Sequence, residues 1–264
     1  MKLGFIGGGN MATALIGGLQ RPLDLLVVER DAARRALLEQ QYGVRTAPDL
    51  VPELGECELL VLAVKPTDMQ AVCTGLAAIA GAPLLLSVAA GIPSSALARW
   101  SQRAAVVRAM PNTPALIGQG MTGLFASARV SDAQRAQVDT VLAGIGPSVW
   151  FADEAMLDAV TAISGSGPAY VFYFIEALQS AAIQMGMDAA QARAFAVQTF
   201  VGAAQLAAAS SDDVATLRER VTSKGGTTAA ALEHLRTAGV GPAITAACFA
   251  ALERSREMGR TLGD

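Results

Sequence analysis

Short apolar runs alternate with longer stretches of helical spacing through the first half of the chain. The runs Leu25–Val28, Leu59–Val64 and Leu84–Val88 have no polar alternation, which is typical of strands that are covered on both faces. Helical spacing follows them in Asp31–Tyr42 and Thr67–Ala80. This order predicts a mostly parallel sheet with helices on both faces, a doubly wound α/β architecture of the Rossmann type.

The strand pattern continues to about residue 152 and then stops. Ala105–Ala109 reads as a further strand, and Met121–Ala126 and Ser148–Phe151 extend the sheet around a helix at Asp132–Ala143. Beyond Asp153, alanine-rich helical stretches dominate, and the first of them is interrupted by a glycine and proline break. These helices are predicted at Glu154–Met185 with the break at Ser164–Pro168, then Ala189–Ala209, Val214–Val221, Thr228–Ala238 and Pro242–Gly259. We therefore predict a dinucleotide-binding domain at 1–152 and an all-helical domain for dimerisation and substrate binding at 153–264.

A glycine turn follows the first apolar run. The spacing Gly7-x-Gly9-x-x-Ala12 is that of a dinucleotide fingerprint, with a small residue in its third place. Asn10 is a good N-cap residue and opens a helix with Met11. The free N–H groups of that helix would hold a pyrophosphate. The alternative is an ordinary glycine-rich turn between a strand and a helix.

Glu29 ends the second apolar run, twenty residues after Gly9. This is where such folds place the acid that binds a ribose 2′-hydroxyl. Arg30, and Arg34 and Arg35 a turn later, could instead hold the 2′-phosphate of NADPH. The alternative for Arg34 and Arg35 is that both are solvated side chains on a surface helix. Glu29 and Arg30 point to different nucleotides, so these residues leave both NADPH and NADH open as the cofactor.

Segments that follow the other strands should also line the nucleotide site, because ligands lie beyond the carboxyl ends of the strands in such sheets. Lys65 ends a buried strand, and Asn112 sits in a loop held by two prolines; a rigid structural turn is the alternative for Asn112. The predicted cofactor-binding residues are Gly7, Gly8, Gly9, Asn10, Met11, Glu29, Arg30, Ala63, Val64, Lys65, Pro66, Ala89, Ala90, Gly91 and Asn112.

A second glycine turn lies in the helical half, at Thr222–Thr228, with hydroxyl residues on both sides of two glycines. A helix N-terminus after such a turn suits a small carboxylate, and a capped helix–helix connection is the alternative. Hydride transfer to a C=N bond fits better than alcohol oxidation, which normally needs a general base. His234 is expected to point away from the turn, and Lys224 is the remaining candidate base.

Composition and charge argue against nucleic-acid binding, membrane association and a metal site. The net charge of −3 and the absence of long charge runs do not favour nucleic acid or an anionic membrane. The hydrophobic content is 52%, but the apolar run Ala77–Ile92 is broken by Gly81 and Pro83, so no membrane span is expected. One histidine and three unclustered cysteines leave no basis for a metal site. With no secretory leader expected, the predicted location is the cytoplasm.

Six motifs together resemble the δ1-pyrroline-5-carboxylate reductases, which make proline in the last step of its synthesis. Four are like the cofactor domain of that family and two are like its helical domain, and the resemblance runs from Gly4 to about Glu257. The motifs are GFIGGGNMA at Gly4–Ala12, AVKP at Ala63–Pro66, SVAAG at Ser87–Gly91, MPNTP at Met110–Pro114, SGSGPAYVF at Ser164–Phe172 and TSKGGTT at Thr222–Thr228.

The resemblance implies a Rossmann domain followed by a helical domain that interlocks into homodimers, often assembled further into decamers. It implies hydride transfer from NAD(P)H to the C=N carbon of 1-pyrroline-5-carboxylate, giving L-proline. It also implies that Thr228 is the catalytic residue and hydrogen-bonds the ring nitrogen, facing a nicotinamide held by the partner subunit. The implied substrate-binding residues are Glu154, Ser223, Gly225, Gly226, Thr227 and Thr228.

Three positions depart from the family pattern. Lys224 stands where many members have proline, and Arg220 where some have an asparagine that touches the ligands. Glu29 replaces the small polar residues that many members have near the 2′-phosphate. Two other functions remain open: a β-hydroxyacid dehydrogenase-like oxidoreductase with Lys224 as base, and a dinucleotide-binding regulator without catalytic activity.

Overall fold

The computed structural model describes residues 1–19 and 24–263. One sheet of eight strands runs in the spatial order β3-β2-β1-β4-β5-β6-β7-β8, and all neighbouring pairs are parallel except β6 and β7. The strands are β1 (Lys2–Ile6), β2 (Asp24–Val28), β3 (Arg45–Ala47), β4 (Leu59–Leu62), β5 (Leu84–Ser87), β6 (Val106–Met110), β7 (Thr122–Ala126) and β8 (Ser148–Phe151).

In the described part of the chain, five helices accompany the sheet and six follow it. The first group is α1 (Asn10–Gly18), α2 (Ala32–Tyr42), α3 (Met69–Ala77), α4 (Ser94–Ser101) and α5 (Asp132–Leu142). The second group is α6 (Met156–Val160), α7 (Gly167–Gln184), α8 (Ala189–Ala209), α9 (Val214–Arg220), α10 (Thr227–Thr237) and α11 (Val240–Leu262). Short 3₁₀ turns occur at Pro52–Glu56, Pro66–Asp68, Thr113–Ile117 and Ala143–Ile145, and Thr161–Gly165 is π-helical.

Two hydrophobic clusters lie on opposite faces of the sheet. Leu59 and Val61 of β4 belong to one cluster, and Leu60 and Leu62 belong to the other; all four side chains are fully buried. Successive residues of a strand point to opposite faces, so a strand buried on both faces must be apolar throughout. The apolar runs of the first half therefore have this physical cause, and the predicted Rossmann-type architecture is confirmed.

The order of the strands reverses between β1 and β4. The chain runs outward from β1 through β2 to β3, then returns to place β4 on the other side of β1. Such a reversal leaves a crevice beyond the carboxyl ends of the two central strands, where doubly wound folds bind their ligands. The glycine turn after β1 and the segment after β4 flank this point.

Most predicted elements are present, with a few differences. Two short elements were not predicted from the sequence: β3, which has only three residues, and α4, which has only eight. The single helix expected at Thr67–Ala80 is a 3₁₀ turn at Pro66–Asp68 followed by α3. The break at Ser164–Pro168 is real, because the π-helical turn ends there and α7 begins.

The chain divides by internal contacts into two compact units. The first comprises Met1–Ser166 together with Ala251–Asp264, and the second comprises Gly167–Ala250. In residues 1–19 and 24–263, no single helix has both the length and the apolar character of a membrane span, although α10 and α11, bent by 52° relative to each other, would pass by length and composition as a pair.

Candidate functional site

The turn after β1 requires glycine at its first position. Gly7 has a φ of +95°, and a Cβ there would lie 2.6 Å from the carbonyl oxygen of Ala63. A Cβ on Gly9 would instead have no atom within 4 Å, so the backbone is open to a ligand on that side. Gly7 therefore shapes the turn, and the space beside Gly9 is what the approach of a pyrophosphate would require.

Helix α1 begins at Asn10 with Gly9 as its N-cap, and no side chain caps it. The prediction that Asn10 is the N-cap residue is wrong. Its side-chain oxygen accepts a hydrogen bond from Arg34 Nη2 at 3.0 Å instead. The first N–H groups of α1 thus keep the capacity to bind an anion, as a phosphate site requires.

The N–H and carbonyl groups of Gly8 both form hydrogen bonds with side chains that follow β2 in the chain. The N–H group of Gly8 donates to Glu29 Oε2 at 2.8 Å, and the carbonyl oxygen of Gly8 accepts from Arg34 Nε at 2.6 Å. The other oxygen of Glu29 accepts from the N–H group of Asp31 at 2.9 Å. Arg35 donates to the carbonyl oxygens of Glu29 and Arg30, both at 2.8 Å. Arg34 and Arg35 are therefore not merely solvated surface charges.

A cleft of about 600 Å³ opens at the crevice beyond β1 and β4. Its walls include seven of the predicted cofactor residues: Gly7, Gly9, Glu29, Arg30, Ala63, Val64 and Lys65. Pro48, Asp49 and Leu50, which follow β3, form a further wall that the sequence pattern does not predict. The predicted residues Gly8, Asn10, Met11, Pro66, Ala89, Ala90, Gly91 and Asn112 are not among the residues that line this cleft.

Glu154 has its partners within the sheet-containing unit. Its Oε1 lies 2.9 Å from Arg108 Nη1 and accepts the N–H group of Ser94 at 2.6 Å, and its Oε2 accepts the Ser94 hydroxyl at 2.7 Å. Arg108 is 7% exposed. The Glu154 carboxylate thus neutralises a buried guanidinium on β6 and satisfies the N-terminus of α4.

Asn112 links the loop after β6 to the π-helical turn. Its Nδ2 donates to the carbonyl oxygen of Ser164 at 3.0 Å, and its Oδ1 accepts the N–H group of Met121 at 2.9 Å. A π-helical turn leaves carbonyl groups without their usual helical donors, so an amide side chain is a suitable partner. The structure therefore shows internal partners at both ends of the Asn112 amide.

The second glycine turn lies between α9 and α10 in the helical unit. Gly225 has a φ of +74°, and a Cβ on it would meet no atom within 4 Å. Gly226 is the N-cap of α10, which begins at Thr227 and has no side-chain cap. The exposed start of this helix thus presents N–H groups that an anion could accept from.

The hydroxyl residues of this turn differ in their hydrogen-bond partners and in their exposure. The Thr222 hydroxyl donates to the carbonyl oxygen of Arg218 at 2.6 Å, so it belongs to the end of α9. Ser223 is exposed and Thr228 is half-buried. Arg220 forms an ion pair with Asp212, which accounts for its charge within the helical unit.

The cysteines are free, and burial changes the chemistry of two of them. Cys57 and Cys73 are buried and Cys248 is half-buried. Burial raises the pKa of the Cys73 thiol to about 11 and also raises the pKa of Cys57, because the charged thiolate is poorly solvated in an apolar environment. Among the residues that the structure describes, no group of three or more His, Cys, Asp or Glu side chains could hold a metal ion.

Both halves of the chain match models of known protein families. Residues 154–258 match the family model for pyrroline-5-carboxylate reductase dimerisation, and residues 2–91 match the model for NADP oxidoreductase, coenzyme F420-dependent. A pyrroline-5-carboxylate reductase of Pseudomonas aeruginosa is 41% identical, with 99% of this chain and 98% of the relative covered.

Solved structures give the same result over the whole length. A pyrroline-5-carboxylate reductase from Coxiella burnetii has a TM-score of 0.91 at 35% identity, covering 97% of this chain and 98% of that chain. A pyrroline carboxylate reductase from Plasmodium falciparum, solved with NADP bound, has a TM-score of 0.85 at 28% identity, covering 98% of each chain.

Proposed function

The chain belongs to the pyrroline-5-carboxylate reductase family, and on that premise we propose how it reduces 1-pyrroline-5-carboxylate with NAD(P)H to L-proline. The observation that carries the proposal is a pair of glycine turns, each opening a helix with no side-chain cap. The turn before α1 suits the pyrophosphate of the cofactor. The turn before α10 suits the substrate carboxylate, because a small anion is what such a helix start binds.

The residues around the cleft fit a dinucleotide. Gly9 leaves space for phosphate groups, and Glu29 and Arg30 lie on the same cleft as Ala63–Lys65 after β4. Asn10, Met11, Pro66, Ala89–Gly91 and Asn112 are proposed as its further surroundings. When bound, the reduced nicotinamide supplies the hydride. The chain's own contribution is to bind and orient the two reactants, which lowers the barrier without a strong acid or base.

NADPH is the proposed cofactor, with NADH as the weaker alternative. Arg30 is exposed on the cleft, and its guanidinium has no hydrogen-bond partner among the described residues. An arginine so placed suits the 2′-phosphate. The Glu29 oxygens both accept backbone N–H groups, which reduces their repulsion of a phosphate. The NADP bound to the Plasmodium relative supports the same choice.

The substrate is proposed to bind at the second glycine turn. Ser223, Gly225, Gly226 and Thr227 surround the open start of α10 and would donate to the carboxylate. Thr228, one residue into the first turn of the helix, would place its hydroxyl on the ring nitrogen and support the protonated imine. Lys224 is exposed and is not assigned a proton-transfer role.

Glu154, which the resemblance places near the substrate, is proposed to act by positioning the segment in which it lies. Its carboxylate is occupied by Arg108 and Ser94, and it precedes the helix that leads into the π-helical turn. Positioning that segment is the role that these contacts support.

We also propose a cytoplasmic homodimer that assembles through the helical domain beginning near residue 153, with decamers as a higher assembly. The match to a dimerisation model supports the dimer, as do large apolar side chains on α7 and α8, where Phe172, Tyr173 and Phe195 are 65%, 71% and 64% exposed. Exposed apolar surface of this extent is normally covered by a partner.

Oxidation of NADPH and NADH with 1-pyrroline-5-carboxylate tests the activity, and Thr228→Ala tests its proposed residue. We expect kcat to fall by about 10- to 100-fold in Thr228→Ala, since a hydrogen bond to the reacting nitrogen is lost. Thr228→Ser should retain most of kcat, and Lys224→Met should match the wild type. Normal turnover in Thr228→Ala, with unchanged cofactor binding, would remove that assignment; a large loss in Lys224→Met would favour the dehydrogenase alternative.

Mixed dimers test whether cofactor and substrate residues come from different subunits. A Gly9→Val subunit lacks a cofactor site, and a Thr227→Val/Thr228→Ala subunit lacks a substrate site. If each active site joins the two subunits, a mixed dimer regains one complete site, and co-expression restores activity that neither variant has alone. If each site lies within one chain, the mixed dimers stay inactive.

A further inference from the structure

We propose that Arg34 is a positioning residue for the glycine turn and does not read the 2′-phosphate, although its place in the sequence suggests a phosphate ligand. The inference rests on the proposed location of the dinucleotide at Gly7–Gly9. It assigns to Glu29 the same task from the other side of the turn. Together, these two side chains would set the affinity for NADH and NADPH alike.

Among the described residues, the Arg34 guanidinium forms its hydrogen bonds with the glycine turn and with the first residue of α1. Its Nε donates to the carbonyl oxygen of Gly8 at 2.6 Å, and its Nη2 donates to the side-chain oxygen of Asn10 at 3.0 Å. The side chain is half-buried. One planar guanidinium thus bridges the middle of the turn and the first residue of α1, a geometry that the fixed fork of an arginine allows.

Glu29 completes the attachment of the Gly8 residue. Its Oε2 accepts the Gly8 N–H group at 2.8 Å, while Oε1 accepts the N–H group of Asp31. Asp31 in turn caps α2 by accepting from the N–H groups of Ala33 and Arg34. Both polar groups of Gly8 are therefore tied to a capped helix start, so the turn keeps its shape before any ligand arrives.

The packing of α2 supports the same conclusion. A Cβ on Gly8 would lie 2.8 Å from Leu38 Cδ1, on the same helix as Arg34. The two glycines on either side, Gly7 and Gly9, are the positions where the backbone turns and where phosphates approach. Because the pyrophosphate is common to both cofactors, holding Gly8 affects both equally. The 2′-phosphate is present on only one of them.

Dissociation constants of NADH and NADPH in the full-length Arg34→Met variant test the proposal. We expect both constants to rise about 10-fold, with their ratio within about twofold of the wild type, and kcat at saturating cofactor to stay near the wild-type value. A rise for NADPH alone would make Arg34 a 2′-phosphate ligand and overturn the proposal, as would no rise for either.

Arg45→Met is the matched control. Arg45 is an exposed arginine in the same unit and pairs with Asp24 at the start of β2, away from the glycine turn. The same side-chain change there should leave both dissociation constants unaltered, and weakened cofactor binding in this control would count against a specific role for Arg34.

Two further variants keep the test decisive if Arg34→Met folds poorly. Arg34→Lys keeps the positive charge but cannot span both acceptors, so it should also weaken both cofactors; wild-type affinity in this variant would show that charge alone matters and would overturn the proposal. Gly9→Val places its side chain in open space and should abolish binding. If it does not, the proposed location of the nucleotide fails, a result distinct from the Arg34 outcome.

Discussion

The guanidinium of Arg108 and the carboxylate of Glu154 lie 2.9 Å apart and join strand β6 to the segment before α6. Their side chains are 9% and 26% exposed, respectively. A pair this deeply placed matters mainly when one partner is removed, because the other charge then stays buried without compensation. Glu154 also accepts two hydrogen bonds from Ser94, so its removal affects the start of α4 as well.

Glu154→Gln should therefore destabilise the fold by about 2 kcal/mol, less than a fully buried pair would lose because the carboxylate is partly solvated. Denaturant unfolding measures the change. Glu233→Gln breaks an exposed pair with Arg236 and should cost no more than about 0.5 kcal/mol. Equal losses of unfolding free energy in the two variants would show that the pair with Arg108 contributes no more to stability than an exposed pair does.

Asn112→Ala should lower the free energy of unfolding by about 1–2 kcal/mol, since it leaves the Ser164 carbonyl and the Met121 N–H group without their partner. Gln119→Ala removes an exposed amide from the same region and serves as the control, with an expected change below about 0.5 kcal/mol. Unaltered stability combined with weaker NADPH binding would instead indicate direct contact between Asn112 and the cofactor.

Arg30→Met should raise the dissociation constant of NADPH by about 10-fold and leave that of NADH unchanged, because an arginine–phosphate contact is lost only with the phosphorylated ribose. The proposed preference of the wild type for NADPH should also weaken as salt is added, since the Arg30 side chain is exposed. Equal losses for both cofactors would argue against a 2′-phosphate contact.

Cys73 should make stability depend on pH in the alkaline range. Its pKa is raised from 9.0 to about 11 by burial, so the unfolded chain releases this proton at a lower pH than the folded chain does. The contribution is complete below pH 9, is lost progressively between about pH 9 and 11, and amounts to about 2–3 kcal/mol.

The difference between the wild type and Cys73→Ala isolates that contribution from the other groups that titrate in this range. Unfolding free energies measured at pH 8 and pH 10.5 should converge for the two proteins as the pH rises. A constant difference at both pH values would mean that the thiol ionises in the folded state as readily as in the unfolded chain.

Individual elements show which parts of the fold can be predicted from local sequence pattern. The run Leu59–Val64 is recognisable as a central strand because burial on both faces permits only apolar residues. The Gly7 turn is recognisable because a positive φ favours glycine. β3 escaped recognition because three residues carry too little pattern. Asn10 was misassigned as a cap because its side chain is held by Arg34, a partner from another helix.

The same difference between local sequence pattern and tertiary contact applies to the candidate site residues. The local sequence pattern predicted Gly9, Lys65 and the Gly225–Gly226 turn as candidate site residues, since each prediction depends on backbone conformation or on the end of a strand or helix. It could not show that Glu29 and Arg34 hold the two sides of Gly8, nor that Glu154 pairs with Arg108. Those relations join residues that are distant in sequence.

By itself, the sequence determined the order of most strands and helices along the chain, the two glycine turns and the family, because local spacing and backbone conformation are encoded in adjacent residues. The tertiary structure alone decided which polar side chains remain available for a ligand. The Arg30 guanidinium has no hydrogen-bond partner among the described residues, whereas Arg34, Glu154 and Asn112 are used to hold the fold. The physical reason is that a hydrogen bond depends on separation in space, and only the packed chain sets that separation.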